Sequence, residues 1–181
     1  MLILASKSPR RRELLSIITK DFTVKSAEVD ESLPDGISPK EAVEYLSRIK
    51  AEPFRSEEDL VIGADTVVAV QGKILGKPES DAQAKEMLSL LSGKTHSVFT
   101  GVTLIKGGRS ITFSEETRVT FYELSEDEIT DYIRTGEPSD KAGAYGIQGK
   151  GCLLVKGIEG DYFNVVGLPV GKLHKFIQKF S

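Results

Sequence analysis

Two long β-prone runs, Thr95 to Ile105 and Ser110 to Phe121, flank Lys106-Gly107-Gly108-Arg109. Glycines between two such runs predict a long antiparallel hairpin. Elsewhere strand and helix signals alternate, the pattern of a sheet with crossover helices. Leu2 to Ala5 and Leu60-Val61-Ile62-Gly63-Ala64 are short apolar runs typical of strands buried on both faces. The hairpin excludes a purely parallel, doubly wound sheet. The expected class is α/β, with a mixed sheet and flanking helices. A chain of 181 residues suits one well-buried domain, so 1–181 is taken as a single domain.

Local signals place the helices. Ser8-Pro9 opens one, with serine as N-cap and proline at the first position. Ser38-Pro39-Lys40-Glu41 and Ser80-Asp81-Ala82-Gln83 have the spacing of capping boxes, and Ser125-Glu126-Asp127-Glu128 caps a further helix. The helix after Ser38 carries an apolar stripe of Ala42, Leu46 and Ile49. The helix after Ser80 carries Ala84, Met87, Leu88 and Leu91 and stops at Gly93. The helix after Ser125 runs through Ile129, Tyr132 and Ile133 to Gly136. Val170, Leu173, Ile177 and Phe180 mark a C-terminal helix. Phe22 to Ala27, Cys152 to Lys156 and Tyr162 to Val166 are expected strands. Gln71-Gly72 between Val67–Val70 and Ile74-Leu75 predicts a hairpin or tight turn.

Four segments carry chemistry. In Ser6-Lys7-Ser8-Pro9-Arg10-Arg11-Arg12 three arginines occupy a first helical turn. The macrodipole is positive there, so each cation costs roughly 0.3–1 kcal/mol unless an anion joins it. Free N–H groups and guanidinium forks together suit a phosphate. Leu14, Leu15 and Ile18 set the core face; at about 100° per residue Arg11 falls on its open end, Arg10 about a quarter-turn off and Arg12 toward solvent. Asp65 follows the apolar run Leu60 to Ala64 and is expected at a strand end, where open α/β sheets bind ligands. It suits a metal ligand or a general base toward water. Lys77, between Gly76 and Pro78, sits on a stiff, open turn and offers a point charge. In Asp140-Lys141-Ala142-Gly143-Ala144-Tyr145-Gly146-Ile147-Gln148-Gly149-Lys150-Gly151 the glycines permit positive φ, while the apolar members predict a packed loop. The Gln148 amide is suited to read a base edge.

Other signals are set aside. Ser92-Gly93-Lys94-Thr95 resembles the end of a P-loop, but the required upstream glycine position holds Leu88, and a helix precedes the motif. The single cysteine, Cys152, beside Leu153 and Leu154, is expected to be a small buried apolar residue. His96 and His174 pair with no cysteine cluster and are expected to be structural or solvated. A net charge of −3 and the lack of tryptophan argue against nucleic-acid binding. The apolar start Met1 to Ala5 is too short for a signal segment and no stretch is long enough to span a membrane, so the expected location is cytoplasmic.

Taken together, Ser6 to Arg11, Gly63-Ala64-Asp65-Thr66-Val67-Val68, Gly76-Lys77-Pro78, Leu91 to Val98, Asp140 to Gly149 and Gly160 to Pro169 resemble the Maf family of nucleoside triphosphate pyrophosphatases in order and spacing. The resemblance implies an elongated, two-lobed fold similar to inosine triphosphate pyrophosphatases. It implies hydrolysis between the α- and β-phosphates with Mg2+ or Mn2+, and often a homodimer. Asp65 becomes the proton acceptor. Arg10, Thr66 and Gln148 become the residues linked to substrate choice. Ser8, Arg11, Lys50 and Lys77 join the substrate-binding set, and Glu31 joins Asp65 as a metal ligand. Gly-Ala-Tyr-Gly-Ile-Gln is similar to the branch acting on dTTP and UTP. The competing expectations are a pyrophosphatase for modified nucleotides and a nucleotide-binding regulator of cell division, the family's name being tied to septum inhibition.

Overall fold

The computed structural model describes residues 1–180. Seven strands form a mixed sheet: β1 (Leu2–Ala5), β2 (Phe22–Lys25), β3 (Leu60–Val70), β4 (Lys73–Leu75), β5 (Thr95–Lys106), β6 (Arg109–Phe121) and β7 (Val155–Glu159). Their order is β2-β1-β3-β5-β6-β7, with β4 hydrogen-bonded to β3. The parallel pairs are β1 with β2 and β1 with β3; β4 on β3 and β7 on β6 are antiparallel. Six helices accompany them: α1 (Pro9–Ile18), α2 (Pro39–Ala51), α3 (Asp81–Leu91), α4 (Glu126–Arg134), α5 (Tyr162–Val166) and α6 (Val170–Ile177).

The chain makes two compact units, and β3, β5 and β6 contribute residues to both. The first contains Met1–Thr66, Phe99–Glu115 and the chain from Phe163; the second contains Val67–Val98 and Glu116–Tyr162.

In the first unit, Ser8 caps α1 by accepting the Arg11 N–H at 3.4 Å, with Pro9 in the first turn. Leu14 and Leu15 are buried below it. Ser38 and Glu41 close a full capping box on α2. Two glycines seat that helix. A Cβ on Gly63 would lie 2.2 Å from the Ser47 carbonyl oxygen, and one on Gly101 would lie 2.1 Å from that of Val43. Backbone therefore packs on backbone, which no other residue permits. Ile3, Ala5, Ala51, Val61 and Ile105 form a dry cluster beside this contact, with Phe54 against it.

In the second unit, Ala84, Met87, Leu88 and Leu91 bury one face of α3. Ser80 accepts the Gln83 N–H at 3.1 Å, but the Gln83 amide oxygen turns to Glu79 N–H, so this capping box is half made. Gln71 (φ 49°) and Gly72 (φ 75°) form the tight turn from β3 to β4. His96, Phe121 and Tyr145 pack edge-to-face, with centroids 4.7–5.3 Å apart. His96 Nε2 and the Tyr145 hydroxyl lie 2.6 Å apart, while His96 Nδ1 is buried without a hydrogen-bond partner among the described residues.

Four expectations need correction. Asp65 is not at a strand end: β3 continues through Thr66-Val67-Val68 to Val70, because β-branched residues sustain it. Its parallel pairing with β1 does stop at Gly63, two residues earlier. Tyr162–Val166 is a helical turn, not a strand. Gly160 (φ 126°) and Gly167 (φ 130°) bound it, and the N–H groups of Gly167 and Leu168 both donate to the Phe163 carbonyl at 3.0 Å. Cys152 begins no strand. Gly149–Leu154 winds as a 3₁₀ helix and β7 starts at Val155. That winding buries Gly151 and Leu154 and leaves Cys152 and Leu153 exposed, so Cys152 is not a core residue.

Burial depresses the His96 pKa from 6.5 to about 4. The unfolded chain therefore binds one more proton than the native one between those values, and stability rises with pH there. Wild-type stability should fall as pH drops from 6.5 toward 4, and His96→Gln should flatten that slope in urea titrations across the window. Gly101→Ala should cost about 3 kcal/mol or more by the same measurement, because the Val43 carbonyl belongs to backbone and has little freedom to move.

Candidate active site

Gly63 brings the end of α2 against β3, and two residues later β3 presents Asp65. Lys50 lies next to Ala51, whose nitrogen would be 2.9 Å from a Gly63 Cβ. The Lys50 ammonium consequently reaches the Asp65 carboxylate in a close ion pair. It also meets Glu31 at 3.0 Å. One cation thus bridges two carboxylates. Asp65 is 9 % exposed, whereas the Glu31 side chain is 55 % exposed. An aspartate this buried needs its partner, since an unpaired buried charge costs several kcal/mol. Glu31 sits in irregular chain before α2, so only the folded unit distinguishes it from its acidic neighbours.

Arg11 is the second anchor. Its Nε donates to the Gly167 carbonyl at 2.8 Å, Nη2 to the Thr66 hydroxyl at 2.9 Å, and Nη1 to the Ser6 hydroxyl at 3.4 Å. All three acceptors are neutral. Burial lowers its pKa, Asp65 and Glu31 oppose that shift, and the nearby Arg10 adds to it. The guanidinium nevertheless stays protonated at neutral pH. Its direction agrees with the helical geometry: Arg11 turns inward and Arg12 is exposed. Arg10 is half-buried and close enough for its charge to act on Arg11. The Ser8 hydroxyl gives one lone pair to the α1 cap.

The Thr66 hydroxyl lies 2.9 Å from that of Thr100, which donates to the Asn164 carbonyl at 3.0 Å. Ser6, Thr100 and Gly167 were not among the expected site residues. Ser6 and Gly167 lie in the stretches that carry the resemblance. Thr100 is one threonine among several on a β-prone run, and nothing in its spacing marks it.

The first unit thus gathers Arg11, Glu31, Lys50, Asp65 and Thr66, with Ser8 and Arg10 on the same α1 end. Lys77 and Gln148 belong to the second unit, and both are exposed there. The loop before and after Gln148 is pinned from several sides. Gly143 N–H donates to the Gly76 carbonyl at 3.0 Å, so the turn that carries Lys77 is tied to it. The Tyr132 hydroxyl accepts Gly146 N–H at 3.1 Å. The Glu137 carboxylate accepts the N–H groups of Lys150 and Gly151 at 3.0 and 3.2 Å. Gly143 (φ 69°) and Ala144 (φ 61°) take left-handed backbone, and a Cβ on Gly151 would fall 1.8 Å from the Gly146 carbonyl oxygen. The expected packed loop is present, with Gln148 projecting from it.

Among the described residues no group of three or more His, Cys, Asp or Glu is placed to hold a metal ion. Asp65 and Glu31 supply two hard oxygen donors. That set fits Mg2+, which is held by one or two carboxylates with substrate phosphate and water completing its shell.

These features define an α/β protein with a basic cluster, Arg10, Arg11 and Lys50, around a buried aspartate. The fold is that of Ham1 proteins: the Staphylococcus aureus Ham1 structure superposes with a TM-score of 0.53 at 13 % identity, covering 99 % of each chain. That from Coxiella burnetii also gives 0.53 at 13 % identity, covering 98 % of each. The Maf family model (Maf-like protein) matches residues 1–180, and the chain belongs to that family. A Bacillus cytotoxicus relative named dTTP/UTP pyrophosphatase is 52 % identical over 181 residues, covering 99 % of this chain and 95 % of its own. One of the same name from Bacillus pumilus is 50 % identical, covering 99 % and 96 %.

Arg11→Lys keeps the charge and loses the fork. With bonds to Gly167 and Thr66 removed, a loss of about 1–3 kcal/mol is expected, measured as a lower urea midpoint at unchanged slope.

Proposed function

We propose that this protein hydrolyses dTTP and UTP to the nucleoside monophosphate and pyrophosphate. The observation that carries the reading is the buried Asp65, paired with the Lys50 ammonium and near enough to Arg11 for its charge to act on it. The names of the half-identical relatives supply the substrate class.

A triphosphate brings about four negative charges, which must be compensated on binding. In this reading Arg10, Arg11, Lys50 and Lys77 share that load. Arg11 is already held by neutral acceptors, so a phosphate oxygen gives it a charged partner without breaking an ion pair. Lys50 is shared between two carboxylates and can turn toward phosphate. Asp65 accepts the proton of the attacking water at the α-phosphate, and the same cations stabilise the departing pyrophosphate. Asp65 and Glu31 would hold a divalent ion, Mg2+ or Mn2+, which neutralises phosphate charge and acidifies bound water. Gln148 is assigned to the pyrimidine edge, and Thr66 and Ser8 to substrate positioning. Among the described residues no helix is long and apolar enough to cross a membrane. Cytoplasmic location and a homodimeric state belong to the same proposal.

Purified protein with Mg2+ or Mn2+ should release pyrophosphate and monophosphate from dTTP and UTP, resolved by chromatography. Asp65→Asn should lower kcat by a factor on the order of 10³ while substrate binding persists, because it removes the base and keeps the shape. Release of inorganic phosphate and diphosphate would mean that a different bond is cut. Gln148→Ala should narrow the preference for UTP over CTP about tenfold. An unchanged preference would remove Gln148 from base recognition.

A further inference from the structure

The hydroxyl relay behind Arg11 has only one possible direction. A threonine hydroxyl has one proton and two lone pairs. Thr100 Oγ1 lies 3.0 Å from the Asn164 carbonyl oxygen, which can only accept, so the Thr100 proton is committed there. The 2.9 Å contact between Thr66 and Thr100 must then use the Thr66 proton. At the other end Arg11 Nη2 can only donate, and it meets Thr66 Oγ1 at 2.9 Å. The sequence of donors is Arg11, Thr66, Thr100, ending on the Asn164 carbonyl.

We propose that Thr100 is a positioning residue for this enzyme: by taking the Thr66 proton it turns Thr66 Oγ1 into a fixed acceptor that aims the Arg11 guanidinium. Thr100 is fully buried in β5, so it touches no substrate and reaches Arg11 through Thr66. Both terminal groups of the relay, Arg11 at one end and the Asn164 carbonyl at the other, are fixed in hydrogen-bonding sense, so the chain polarises in one direction. A consequence follows for Thr66. With its proton spent and one lone pair on Arg11, it has a single lone pair left. A ligand group that meets Thr66 must be a donor, such as a sugar hydroxyl or a ring N–H. The proposal rests on the reading of Arg11 as a phosphate ligand.

Thr100→Val keeps the shape and removes both hydrogen bonds; Thr100→Ser keeps both. The Arg11 Nε–H, held on Gly167 at 2.8 Å, gives a readout independent of activity through its ¹⁵N NMR exchange rate. In Thr100→Val that exchange should quicken at least about tenfold, and kcat/KM for dTTP should fall by about tenfold, the scale of one charged hydrogen bond. Thr100→Ser should restore both. In an Arg11→Lys background Thr100→Val should cost no further activity, since the group it aims is gone. The proposal is overturned if the Nε–H stays protected in Thr100→Val, or if that variant loses the same factor with and without Arg11. Faster exchange with unchanged kcat/KM would uphold the positioning role and overturn the assignment of Arg11 to phosphate.

Discussion

A helix can lie with its backbone on a sheet only where the strands carry no Cβ. Gly63 and Gly101 create that condition beneath α2, with the Ser47 and Val43 carbonyls filling the space a methyl would need. Much of the first unit's chemistry depends on this contact. It fixes the last turn of α2 over β3, and so places Lys50 within reach of Asp65 two residues beyond Gly63. Any larger residue at Gly63 would lift the helix and separate the pair. The same constraint therefore governs core packing and site electrostatics.

The charges around Asp65 are compensated in two ways. Lys50 is neutralised directly by two carboxylates. Arg11 is held by a carbonyl and two hydroxyls and keeps its charge available. Its position in the first turn of α1 adds a cation where the helix dipole is already positive. Stability alone would not select that arrangement. An anionic ligand would remove the conflict, which is the physical argument for the phosphate role proposed for the first turn.

In the second unit polar ties hold the Gln148 loop beside its short 3₁₀ turns. Glu137, Tyr132 and the Gly76 carbonyl each hold one point of it. His96 holds Tyr145 from beneath at the cost of an unpartnered Nδ1, and burial keeps its ring neutral at ordinary pH. The base-reading role proposed for Gln148 requires placement to a fraction of an ångström, and a loop pinned this way is suited to it.

Sequence alone determined the α/β class, the hairpin, the helix caps at Ser8, Ser38 and Ser125, and the inward turn of Arg11. Each of these is set by interactions within a few residues, by side-chain period or by turn chemistry. Asp65, Lys77 and Gln148 stand out as candidates because their flanking glycines, prolines and apolar runs are local signals as well. Tertiary structure alone decided the rest. Tyr162–Val166 has strand-forming residues, yet two glycines and a shared carbonyl wind it into a helical turn. Cys152 was expected inside because its neighbours are leucines, but a 3₁₀ winding turns it outward. Glu31, Lys50 and Thr100 look like ordinary solvent or strand residues along the chain. Their meaning arises from partners 15 to 64 positions away. Contacts of that separation depend on how α2, β3 and β5 pack, which no local periodicity encodes.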